Sequence, residues 1–317
     1  MAYVVFDLDE TLAHLHSMYY FIASLNMKQD ILENRSYMLS FLPEDLFDSQ
    51  KKAYRLFVKR VLEAETSDRP LGILRPGILE VMSALRELQK KGKVAYVALY
   101  SNNRHLPCLK FVRDLIHLHV GSTFLIGDCI HWGHPMRHAD TTHPVYTKSW
   151  NVLRGILIEG RCKAPESLAP KKVYFFDDLD HIDLQRALKE QYYKVPAYSY
   201  TVALDRISQI YIEVLEEAKP DWSTFLFTVM DYLQVGERTA LLHPADVTVY
   251  DMVRMFWSLI EPRKETEDVP PPPDLGYMMM MDVVKELEYS KKPRRQKRRT
   301  MRARRYTVKI HQNRLTK

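Results

Sequence analysis

Apolar residues gather in three short runs, and each run stops at polar side chains. Residues 2–6 (AYVVF) lead into Asp7, residues 94–100 (VAYVALY) into Ser101, Asn102 and Asn103, and residues 172–176 (KVYFF) into Asp177 and Asp178. Runs this short and this continuously apolar predict strands buried on both faces. Between the first two, Leu79, Met82, Leu85 and Leu88 share one face at helical spacing. That spacing predicts a helix over 78–91, with Pro76 suited to its first turn and Gly92 ending it. Further helices are predicted over 107–118 and 148–158, and 119–147 reads as loop. Strands alternating with helices predict an α/β, Rossmann-like parallel sheet with crossover helices. Ligands of such sheets bind beyond the carboxyl ends of the strands, where all three polar clusters fall.

Outside this alternation the pattern is helical. Residues 16–71 read as a helical, cap-like insertion, with its clearest periodicity over 45–65. Residues 204–217 and 221–262 also read as helices, and 264–276 (KETEDVPPPPDLG) as an acidic, then Pro-rich linker. The expected organisation is a catalytic domain over 1–217, a helical extension over 218–263, the linker, and a short helix with a basic tail over 277–317. The tail, nearly devoid of apolar residues over 291–305, is expected to be disordered alone.

Composition changes the picture in one place. The chain has 317 residues, 46 basic and 40 acidic. Thirteen of the basic residues and none of the acidic ones lie from 291 onward, so residues 1–290 carry a formal charge of −7. The body is acidic and the tail strongly basic. No apolar run approaches the ~20 residues a membrane span needs. The first residues carry acids and no basic region, so a signal peptide is not expected. Three cysteines, Cys108, Cys129 and Cys162, give no disulfide framework and fit a reducing, intracellular compartment.

Asp7 and Asp9 stand two apart where a strand stops. One such carboxylate can attack phosphorus while the other handles the proton of the leaving group. Close carboxylates also draw a hard divalent cation such as Mg²⁺. The bland reading, an acidic turn, fits an isolated Asp-x-Asp equally well. The combination is more specific: Ser101 and nearby N–H groups suit a phosphate oxygen, Lys148 suits charge neutralisation, and Asp177 and Asp178 suit a metal shell.

Taken in order, FDLDETL, LYSNN, KSWNVL and FFDDLDHID resemble the four motifs of the haloacid dehalogenase superfamily of phosphohydrolases. DLDET, LRPG and the Lys148 segment resemble the branch that acts on the C-terminal domain of RNA polymerase II. The resemblance covers about 1–15 and 72–200. It implies that Asp7 is phosphorylated and binds Mg²⁺, that Asp9 is the general acid and base and lends its carbonyl to the metal, and that Thr11 supports the loop on the phosphate side. It further implies that Ser101 and Asn102 contact phosphate, that Lys148 stabilises the aspartyl-phosphate, and that Asp178, with Asp177, binds Mg²⁺. Two departures stand out. The second motif reads Tyr-Ser-Asn-Asn where the branch has Thr-Ala-Ser, and the insertion after the first motif is long. A cap there would gate access and favour small substrates.

Seven of the twelve histidines lie between 105 and 143. Cys129, His131, His134, His138 and His143 have spacings open to Zn²⁺, but no Cys-x-x-Cys anchors them, and ordinary loop and core histidines fit better. In the tail, Arg294, Arg295, Lys297, Arg298, Arg299, Arg302, Arg304 and Arg305 form a run that attracts polyanions. The expected partners are therefore a phosphorylated protein or nucleic acid as substrate and nucleic acid or an acidic partner for the tail, in the nucleus or another nucleic-acid compartment (a virion if the chain is viral). The rival reading is a catalytically weak scaffold of the same fold that binds nucleic acid through the tail.

Overall fold

The three apolar runs are strands, and two further strands join them. In the computed structural model, residues 1–28, 44–139, 147–200, 204–233, 248–259 and 273–290 are described. The strands are β1 (Ala2–Phe6), β2 (Val94–Tyr100), β3 (Ile126–Ile130), β4 (Val173–Asp177) and β5 (Tyr192–Lys194). They form one sheet in the order β3-β2-β1-β4-β5. Every pairing is parallel. The chain builds outward from β1 in one direction through β2 and β3, and in the other through β4 and β5. Strand β1 thus sits at the topological switch point, where such sheets open a crevice for ligands. Register aligns the strand ends: Phe6 pairs with Leu99 on one side and Phe176 on the other, which brings Asp7, Ser101 and Asp177 to one edge.

Strands β3 and β5 have no apolar run that predicts them, and β3 lies within 119–147, a stretch whose sequence reads as loop. Gly127 and Asp128 break the apolar run of β3, but each has a use there. Tyr96 of β2 lies over Gly127, where any side chain would collide with its phenol, and the same phenol donates to Asp128 Oδ2 at 2.7 Å. Strand β5 has three residues, too few for a periodicity to register.

Helices cover both faces. Among the described residues they are α1 (Tyr19–Leu25), α2 (Glu44–Glu65), α3 (Ile78–Lys90), α4 (Leu106–His119), α5 (Pro135–Ala139), α6 (Trp150–Glu159), α7 (Ile182–Leu188), α8 (Leu204–Ala218), α9 (Trp222–Tyr232), α10 (Val249–Leu259) and α11 (Leu275–Tyr289). Helix α3 begins at Ile78, as its periodicity predicts, but Pro76 lies before it and not in its first turn, with Gly77 as N-cap in a left-handed conformation (φ 83°). Alternate residues of β1 divide between two cores. Tyr3 and Val5 pack with Leu153, Ile156 and Leu184 from α6 and α7, while Val4 and Phe6 pack with the helices of the other face.

The described part of the insertion is built into that second core. Phe21 of α1 and Phe57 of α2 meet Tyr211 of α8 edge-on, and Phe256 of α10 closes the cluster against Phe21 and Tyr211. Ser24 and the Tyr211 hydroxyl share a hydrogen bond at 2.7 Å inside it. Edge-on aromatic packing of this kind adds about 0.5–1.5 kcal/mol per pair beyond simple burial. The insertion and the C-terminal helices therefore share one aromatic core. Residues 29–43, most of the linker, and the whole tail with its eight named cations lie outside the described residues. Among those described, no helix is long and apolar enough to cross a membrane.

Candidate active site

The chain turns sharply as it leaves β1. Leu12 N and Ala13 N both donate to Leu8 O, and Glu10 N donates to Ala13 O, which folds residues 8–13 into a tight loop. Glu10 sits in the left-handed region (φ 58°), uncommon for a residue with a side chain. This loop holds Asp7 buried at the sheet edge and Asp9 half-buried beside it.

Lys148 arrives from the residue before the N-cap of α6, where Ser149 accepts from Val152 N. Its side chain is 1% exposed, and the ammonium donates to Asp7 Oδ1 at 2.5 Å and Asp177 Oδ2 at 2.7 Å. The rings of Tyr100 and Phe175 lie 5.9 and 5.7 Å below it. Burial opposes the charge, but Asp7 and Asp177 overcome it and hold the Lys148 pKa above the ordinary value. Lys148 is therefore a fixed cation between two carboxylates delivered by different strands.

Asp178 has a different anchor. Thr11 Oγ1 donates to its Oδ1 at 3.0 Å and accepts from its backbone N–H at 3.0 Å. Thr11 is wholly buried, so its hydroxyl ties the β1 loop to the β4 loop. That is the geometry of a loop-supporting residue. Ligand atoms of Asp7, Asp177 and Asp178 lie within 4.8 Å of one another, a grouping that fits a divalent cation. Asp9 is not in it. Its carboxylate faces Ser101 Oγ at 3.3 Å and both its oxygens accept from Asn103 Nδ2 at 3.1 Å. Burial first, and then the charge of Asp7, raise the Asp9 pKa to about 6, against the opposing pull of the Asn103 and Ser101 bonds and Lys148. Burial and Asp7 also raise Asp178, and Asp177 is raised chiefly by burial.

Arg137, on α5, supplies a cation that sequence reasoning missed. It is 2% exposed, donates to Ser101 O at 2.7 Å and to Asn102 Oδ1 at 2.6 Å, and stacks over Tyr100 at 5.1 Å. It shapes the loop expected to take phosphate. Nothing in the sequence marks it, because it stands in the stretch read as histidine-rich loop. The sequence marks Asn103 only as part of a polar cluster, and the fold sets its amide on Asp9. His181, 3.4 Å from Asp177, is neutral: burial, then Lys148 and Arg137, lower its pKa to about 3.

Other candidates stay outside the site. Asp183 accepts from Trp150 N at 2.7 Å and so caps α6, while Asp180 pairs on the surface with Lys194. Cys129, His131, His134 and His138 do not come together as a ligand group among the described residues, and His143 lies outside them. His131 Nδ1 accepts instead from Gly133 N at 3.1 Å. Burial pushes the Cys129 thiol up to about 11.

Four carboxylates, Asp7, Asp9, Asp177 and Asp178, thus face two cations, Lys148 and Arg137. Burial first, and the charge of Asp7 as a further cause, raise the pKa values of Asp9, Asp177 and Asp178. Hard oxygen donors with surplus negative charge fit Mg²⁺ in both chemistry and charge. Comparison with protein-family models, with curated proteins and with solved structures returns no match for this chain.

Proposed function

We propose that the chain is an Mg²⁺-dependent hydrolase of phosphomonoesters, of haloacid dehalogenase type, with Asp7 as nucleophile. The observation that carries the reading is the Lys148 ammonium held between Asp7 and Asp177, beside Asp178, at the switch point of a parallel sheet. A structural ion pair needs one carboxylate, not three delivered by two strands around one buried lysine.

Asp7 Oδ attacks phosphorus and the bond from phosphorus to the leaving oxygen breaks. Asp9, whose raised pKa keeps a proton available, gives that proton to the leaving oxygen. Water then attacks the phosphorus of the phospho-Asp7 intermediate and passes its proton to Asp9. The bond between Asp7 and phosphorus breaks, inorganic phosphate leaves, and both aspartates return to their starting states. Lys148 orients Asp7 and offsets its negative charge, and the Thr11 hydroxyl orients Asp178. Ser101 and Asn102, held by Arg137, face the phosphate oxygens. Asp7 and Asp178, with Asp177 close by, would hold Mg²⁺, which would neutralise charge on the phosphoryl group. The substrate is a phosphoprotein or a nucleic-acid or nucleotide phosphate.

The test is phosphate release from p-nitrophenyl phosphate with Mg²⁺ and with EDTA, for the wild type and for Asp7→Asn. Asn keeps the shape but is a poor nucleophile. Expected are turnover that requires Mg²⁺ and its loss in the variant. A folded wild type that releases no more phosphate than Asp7→Asn overturns the proposal.

A further inference from the structure

Arg75 is the largest fully buried side chain among the described residues, and none of the chemistry above uses it. Its Nε donates to Thr11 O at 2.6 Å. Its Nη2 donates to Glu10 O at 2.7 Å and to Pro196 O at 2.6 Å. Its Nη1 pairs with Asp274, the N-cap of α11. One planar guanidinium thus grips two successive carbonyls of the loop that carries Asp7 and Asp9, the chain after β5, and the start of the C-terminal helix. Planarity is what allows a single group to bind on several sides at fixed angles.

The gripped loop needs holding. Glu10 is in the left-handed region, which a residue with a Cβ keeps only when its surroundings impose it. Its carbonyl is also bonded by Tyr198 N at 2.6 Å. On the other side, the fit to α11 is close. A side chain on Gly276 would collide with the Arg75 guanidinium, and one on Gly77 would collide with Tyr277 of α11. The Tyr277 hydroxyl donates to Glu80 on α3 at 2.6 Å, and Lys91 pairs with Glu288 at 3.1 Å near the far end. Helix α11 is therefore fixed along its length to α3, with its N-terminus on Arg75.

We infer that Arg75 is a positioning residue for the catalytic loop, and that Asp274 of the C-terminal helix sets the position of Arg75, which couples a segment 267 residues from Asp7 to the geometry of the site. The inference rests on the proposed hydrolase reading for its kinetic consequence, but not for the mechanical coupling. Neither residue touches substrate. Loosening the grip misplaces Asp7 and Asp9 without removing a binding contact, so kcat falls and KM holds.

Arg75 variants risk misfolding, since they take a donor from each of three carbonyls and leave only Glu10 O with another, from Tyr198 N, so Asp274→Asn and Gly276→Ala are the probes. Asn remains a good N-cap for Tyr277 N but loses the charge that holds Arg75. Ala favours the helix but pushes on the guanidinium. Two measurements on the full chain are made. Hydrogen exchange reads the amides of Glu10, Leu12, Ala13 and Tyr198, and kinetics on p-nitrophenyl phosphate with Mg²⁺ separate kcat from KM. Expected in both variants are faster exchange at those four amides while α11 stays protected, kcat lower by roughly tenfold, and KM within about twofold. A purely structural role would lower the melting temperature and spare these amides. Wild-type exchange and wild-type kcat in a variant with α11 still docked overturn the inference. A wild type without Asp7-dependent turnover overturns the proposed function alone, and the exchange data then decide the coupling.

Discussion

The sequence puts Asp178 first and Asp177 second for the metal, and the fold gives the two neighbours different surroundings. Asp177 is wholly buried and bound to Lys148, whereas Asp178 is half-buried and oriented by Thr11. Asp178→Asn should therefore weaken Mg²⁺ binding while leaving the Lys148 pair intact. Ligand that binds only the folded state raises its melting temperature in step with concentration over Kd. A Mg²⁺ titration followed by thermal melting should show a rise for the wild type and little or none for Asp178→Asn at the same concentrations. Equal rises would remove Asp178 from the metal set. The acids, Lys148 and Ser101 were legible because each ends or opens a recognisable element. Arg137 was not, because a buried cation on a five-residue helix leaves no periodic trace, and its role depends on Ser101 and Asn102 being brought to it by pairing of β2 with β3.

Strand β3 shows how an element escapes a reading built on apolar runs. Its sequence, IGDCI, alternates poorly, and its stability comes from what surrounds it: pairing with β2, the Tyr96 phenol over Gly127, and His117 of α4. His117 is mostly buried, and its Nε2 accepts from Ile126 N at 3.0 Å, which pins the first residue of β3 to the last turn of α4. That bond needs a neutral ring. Burial, followed by the nearby charge of Arg113, lowers the His117 pKa below its ordinary 6.5, with Asp114 opposing. Proton uptake is thus easier in the unfolded chain. The stabilising contribution is present in full above pH 6.5 and is lost as pH falls through the folded value. Melting temperatures of the wild type and His117→Gln, compared from pH 8 down to 5, should converge as the medium becomes acidic. A gap between the two that stays constant across the range would show that His117 does not carry this dependence.

The charge of the chain is divided between its body and its tail, and that division makes a prediction about partners. Residues 1–290 carry 33 basic and 40 acidic side chains, while 291–317 carry thirteen basic and no acidic ones. An acidic body gains nothing electrostatically from a polyanion, so any affinity for nucleic acid must come from the tail. Each phosphate neutralised on duplex DNA contributes about −0.9 to the slope of log affinity against log salt. If about half the tail charges engage phosphate, the intact chain should show a slope of roughly −5 to −6, and a chain ending at 290 a slope near zero. The tail carries only one aromatic residue, Tyr306, so base stacking adds little and the binding should be indifferent to sequence. Turnover of p-nitrophenyl phosphate should survive the deletion, since Asp7, Asp9, Lys148 and Asp178 all precede it and α11 keeps Asp274 on Arg75. Equal affinity and slope with and without residues 291–317 would mean that nucleic acid is held by the body after all. Loss of turnover on deletion would instead place the tail in contact with the catalytic half, and the site would then have to be read as shared between the two.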